Sequence, residues 1–196
     1  MGFASSWLDS ARELIESPSG FFDGEDRRDG FGYPLKFAAF SFLVSGVLSA
    51  LRIVVYGTSV ESSLSMPVAA GVTLVSSVIG GISGMIIGAG LIHIFVALLG
   101  GENGYSETLA VMGYSSAISA VASVANLVPL IGPLVSVLLA FYSIYVQAKG
   151  LEIFQELSFG RSIVAVLLPV VIIGAVFFVL MVTVLASFMA LSGMPA

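Results

Sequence analysis

Residues 67–99 read "PVAAGVTLVSSVIGGISGMIIGAGLIHIFVALL", a run of 33 with no Asp, Glu, Lys or Arg. At ~1.5 Å per residue a helix of that length runs roughly 50 Å, more than the ~30 Å of hydrocarbon in a bilayer. The stretch therefore predicts a membrane-crossing helix that must tilt, break or protrude.

Working outward, four more apolar segments come into view: about Pro34 to Tyr56, Thr108 to Leu127, Val128 to Gln147, and Ser162 to Leu191. A soluble core has no need of several separate runs near 20 residues, which is the length that crosses a bilayer. Composition agrees, with 58% hydrophobic and 10% charged residues and a mean hydropathy of +1.08. The fold class is all-α: a polytopic membrane helical bundle with five transmembrane helices. Residues 34–196 form the membrane domain, and residues 1–33 a tail. Within the tail, Trp7, Leu8, Ala11, Leu14 and Ile15 recur at helical spacing, so a short amphipathic helix is expected, capped by Ser5 or Ser6, ended by Pro18, and lying on the membrane or on the transmembrane bundle. The charged stretch "GEDRRDGFG", residues 24–32, reads as a linker.

Two prolines in "VPLIGPL", Pro129 and Pro133, predict a break between the third and fourth segments, and Pro169 a break or kink in the fifth. A re-entrant hairpin would change the count of crossings. Residues 148–161 are read as a loop with room for a short amphipathic helix at the cytoplasmic face, serving as a solvated connector or a docking surface for a partner. Tyr142, Tyr145 and Gln147 before it suggest an interfacial belt.

The net charge of −5 gathers in the tail, which argues against nucleic acid and against a polybasic lipid anchor. The acidic stretch before the first apolar run makes a cleaved signal peptide unexpected. With no cysteine in the chain, disulfides and thiolate chemistry are excluded. Lysine and arginine set orientation. A cytoplasmic N-terminus places Arg12, Arg27, Arg28, Lys36, Lys149 and Arg161 inside and only Arg52 outside, and five crossings then leave the C-terminus outside.

The central run spends five glycines beside the only histidine of the chain. Gly80, Gly84 and Gly88 are four apart, so each advances only ~40° around a helix, and together they form a narrow smooth stripe. Such a stripe suits helix packing within the chain, a face for a second copy or another membrane protein, or sliding. A second reading starts from Gly81, Ile82, Ser83 and Gly84, which match the GxSG pattern of a serine nucleophile. His93, its only candidate base, lies ten residues on, about 15 Å along the same helix, too far to activate it. His93 itself suits a hydrogen bond to a neighbouring helix or a proton-linked gate. One histidine and no cysteine give no metal-ligand set, and no cofactor site is read.

In order along the chain, "ARELIESPSGFF" (Ala11 to Phe22), "GYPLKFAAF" (Gly32 to Phe40), "LIHIFVALLGGENGYSETLAVMGYSS" (Leu91 to Ser116), "VPLIGPL" and "AKGLEIFQELSFGRSIVAVLLPVVI" (Ala148 to Ile172) resemble the Yip (Ypt/Rab-interacting protein) domain family. The resemblance covers most of the chain and implies a five-helix bundle with a cytoplasmic N-terminus. Eukaryotic members are associated with small GTPases and vesicle traffic. This chain lacks the long polar N-terminal region of many of them and looks like a compact prokaryotic member, so no GTPase contact is carried to any residue. The resemblance points to a non-enzymatic organising, adaptor or scaffold protein, whose partners are the bilayer and a second copy or another membrane protein. The competing expectation is a small-solute transporter or channel, with His93 near a pathway through proline-broken helices.

Overall fold

The computed structural model describes residues 2–24, 30–57 and 64–192, with side chains to Phe188. The middle of the expected linker, 25–29, lies outside these residues. Among those described there are eight helices and no strand: α1 (Phe3–Glu16), α2 (Pro18–Asp23), α3 (Gly32–Tyr56), α4 (Met66–Leu98), α5 (Tyr105–Ser115), α6 (Ala117–Ala125), α7 (Ile131–Phe154) and α8 (Phe159–Ser192). Five runs are long and apolar enough to cross a bilayer, α5 and α6 counting as one, Tyr105–Ala125, interrupted only at Ser116. Helices are what hydrocarbon permits here, because each satisfies its own backbone polar groups.

The run Tyr105–Ala125 is the centre of the bundle. Of its apolar window 61% is buried, against 17–22% for the other four. Around it α3 pairs with α4, α7 with α8, and α4 with α8. Glycine lets the backbones close in. A Cβ on Gly113 of α5 would stand 2.8 Å from the Pro34 carbonyl oxygen of α3, and one on Gly46 of α3 would stand 3.1 Å from the Leu74 carbonyl oxygen of α4.

The tail joins this core. Trp7, Ala11 and Leu14 are buried at helical spacing in α1, and the Trp7 indole N–H donates to the Ser41 hydroxyl of α3 at 3.0 Å. The opposite face is wet, where Arg12 meets Glu16 at 2.8 Å. Ser5 and Ser6 do not cap α1, because their hydroxyls donate to the carbonyls of Gly2 and Phe3. Pro18 does stand after the end of α1, but it also opens α2, a use that costs nothing at a first-turn position. From α2, Phe21 and Phe22 reach full burial. Their rings meet Tyr114 and Phe154 edge to face at centroid distances of 5.1 and 5.4 Å. Removing two such rings from water contributes ~1.5–3 kcal/mol each.

Two expectations from the prolines change. Pro129 falls in the turn between α6 and α7, where Leu130 takes a left-handed φ of 71°. Pro133, however, sits in the first turn of α7 and breaks nothing. Pro169 lies inside α8, which continues through it. The Tyr56 hydroxyl donates to the Leu127 carbonyl at 3.1 Å, which places the α6–α7 turn beside the far end of α3. The central run and α7 therefore each traverse the whole bundle, and no re-entrant hairpin forms. The fourth helix also extends past Gln147 to Phe154, so much of the expected 148–161 loop is helix. Ala148, Leu151 and Phe154, three apart, continue its buried stripe.

Candidate functional site

Three features carry polar chemistry or open surface. The first surrounds His93. Its Nδ1 lies 3.0 Å from the Thr108 hydroxyl of α5. The Gln155 amide, just past α7, donates through Nε2 to that same hydroxyl at 3.0 Å and to the Gly104 carbonyl at 2.9 Å. Gln155 Oε1 accepts from the Asn103 backbone N–H at 3.2 Å, and its carbonyl accepts from Glu102 N–H at 3.2 Å. Asn103 Nδ2 donates to the Phe154 carbonyl at 2.8 Å. Both Gln155 and Thr108 are fully buried. The Thr108 hydroxyl is thus shared between the His93 ring and the Gln155 amide.

This node ties the α4–α5 turn, α5 and the α7–α8 turn into one end of the bundle. Tyr105 adds to it, its ring 5.7 Å from that of His93 and its hydroxyl donating to the Ile86 carbonyl at 2.8 Å. A satisfied buried network of this kind fixes geometry. Ser83 has no part in it. Both Ser83 and His93 lie on the uninterrupted α4, and the histidine faces Thr108, so the GxSG pattern gains no base.

The second feature is a cavity of about 480 Å³ among α4, α5, α6, α7 and α8. Its polar groups are Ser119 of α6 and Ser136, Ser143 and Gln147 of α7; the remaining lining is apolar, Pro169 and Leu139 included, and no charged residue contributes. Gln147, expected at an interfacial belt, belongs to this wall. His93 does not line it, so the cavity offers no path past the histidine.

The third is the outer face of α4. The expected stripe does not pack within the chain, since a Cβ on Gly80 or Gly84 would meet nothing within 4 Å and one on Gly88 only the Met112 methyl at 3.8 Å. Packing falls instead to Gly81, whose Cβ would stand 2.5 Å from the Phe42 ring of α3. The spacing identified a smooth stripe; which face a neighbour occupies was decided by α3. Among the described residues no group of three His, Asp or Glu is placed to hold a metal ion.

Sequence reading passed over Thr108, Gln155 and Asn103. The available signal was uncharged polar residues at the ends of apolar runs, on both sides of short turns.

Comparison with curated proteins and with solved structures returned no match. The family model described as Yip1 domain matches residues 12–191, from the last turns of α1 through all five long helical runs into the last turn of α8. The chain is thus a multi-pass membrane protein that belongs to the Yip1 domain family.

Proposed function

We infer that the protein organises the membrane around it as an adaptor or scaffold, without catalysing a reaction, by seating a helix of another membrane protein or of a second copy. One observation carries this reading: the Gly80 and Gly84 face of α4 is smooth and open. In lipid no hydrophobic drive brings helices together, so close van der Waals approach along small residues supplies the association. Membership of the Yip1 domain family supports the same class of role. The lysine and arginine distribution favours a cytoplasmic N-terminus and an outer C-terminus.

The test is crosslinking in native membranes. The chain lacks cysteine, so Gly80→Cys gives a single reactive site on the open face. We expect one or a few discrete adducts, identified by mass spectrometry, that disappear when Gly84→Leu is added. Diffuse labelling with the abundance of the surrounding proteome, unchanged by Gly84→Leu, would rule the reading out.

A further inference from the structure

The cavity beside Gln147 supports a proposal independent of the open Gly80 and Gly84 face and of any protein partner; of the α4 stripe only Gly88 reaches its wall. Ser136, Ser143 and Gln147 are seven and four residues apart, so they share one face of α7. Gln147 Nε2 donates to the Ser143 hydroxyl at 2.8 Å. The Gln147 Oε1 and second N–H, and the Ser119 hydroxyl, have no protein partner among the described residues. Across the cavity stand Val166 and Pro169 of α8. Donors and acceptors thus converge on a space that is otherwise hydrocarbon.

The opening is lateral. Ser119, Ala140, Val170 and Ile173 line the cavity and are exposed, and from Val170 to Phe188 every residue of α8 is exposed. A helix lying on a neighbour buries one residue in every three or four, so this half of α8 stands clear of the bundle on all sides. The cavity lies where the buried part of α8 ends, at Pro169. Its occupant comes from the bilayer, because the mouth opens at the depth of apolar helix surface. With no charged lining residue, a phosphate or carboxylate head would be desolvated without a counter-charge. A cavity of about 480 Å³ has room for a hydrocarbon chain and a small head.

We propose that this cavity binds an uncharged single-chain membrane lipid bearing a hydroxyl, the hydroxyl held by Gln147 and Ser143 and the chain lying along Leu139, Ile144 and Val166. An acyl lipid and an isoprenoid alcohol share this chemistry, and the experiment separates them.

The full chain is reconstituted in phosphatidylcholine nanodiscs and exposed to clickable diazirine probes: a monoacylglycerol, geranylgeraniol, and phosphatidylcholine as the charged-head control. The expected result is light-driven labelling of α7 between Ser136 and Gln147, or of Ser119 to Ala122, by a neutral probe and not by the control. Which neutral probe labels more strongly identifies the source. Gln147→Leu should weaken capture about five- to tenfold, the loss of one or two hydrogen bonds at about tenfold per 1.4 kcal/mol. Ala140→Trp, which fills the exposed mouth, should abolish capture. Leu138→Trp should leave it intact, because Leu138 is 68% exposed and lies off the cavity wall. Equal labelling by phosphatidylcholine, or unchanged labelling in both Gln147→Leu and Ala140→Trp, overturns the proposal and reduces the cavity to annular lipid.

Discussion

Gly80 and Gly81 are neighbours in the chain with opposite surroundings. A Cβ on Gly81 would press into the Phe42 ring at 2.5 Å, while one on Gly80 would meet nothing within 4 Å. One residue is about 100° of helix, which here separates the α3 seam from the open face. A small residue in a membrane helix therefore has two uses, close packing inside the chain or a smooth face offered outside it. Only the position of the neighbouring helix tells them apart.

The contrast is sharpest where backbone meets backbone. Gly113→Val would set a side chain 2.8 Å from the Pro34 carbonyl oxygen, and neither helix can yield without moving its whole turn. We expect a loss of about 3 kcal/mol or more, at the upper end of overpacking costs, read as a lowered unfolding midpoint in mixed micelles; a wild-type midpoint would mean that α3 and α5 do not touch there. Gly81→Leu should cost less, about 1–3 kcal/mol, because the half-buried Phe42 ring can swing towards lipid; pairing it with Phe42→Ala should recover part of the loss. Thr108→Val removes the group shared by His93 and Gln155 and should cost about 1–2 kcal/mol. That loss should shrink to almost nothing in a Gln155→Leu, His93→Leu background if the network alone carries it. Gly84→Leu should change the stability of the single chain by less than about 0.5 kcal/mol yet remove crosslinked partners. A large stability loss there would erase the distinction between the two faces.

How much of this was legible beforehand follows from the same physics. Length and hydropathy disclose the five crossings, because hydrocarbon imposes one length on every one of them. That the helix of residues 148–154 continues the fourth crossing was not legible, since Gln147, Lys149 and Glu152 gave the stretch a polar look while Ala148, Leu151 and Phe154 kept the apolar period going. Lys149 is accommodated through Glu152 at 2.7 Å and the Phe159 ring at 4.5 Å. The amphipathic period of α1 left two seats open, the membrane surface and the bundle, and only the fold reveals that α1 takes the second and that Phe21 and Phe22 complete the core. The His93 node depends on Thr108 and Gln155, 47 residues apart, a distance over which periodicity carries no information.

The clasp between α1 and the rest has a consequence for biogenesis. The Ile15 carbonyl near the end of α1 accepts the hydroxyl proton of Tyr142, a residue 127 positions later on α7. A chain made and inserted from its N-terminus exposes α1 long before α7 exists. Trp7 can find Ser41 early, but Ile15 must wait until the fourth crossing is in the bilayer, as must Phe22 for Phe154. A helix made well before α7 is thus among the last to be seated. Until then its apolar face is available to an insertion factor or a chaperone, and its disappearance from protease-accessible surface would time the completion of the bundle.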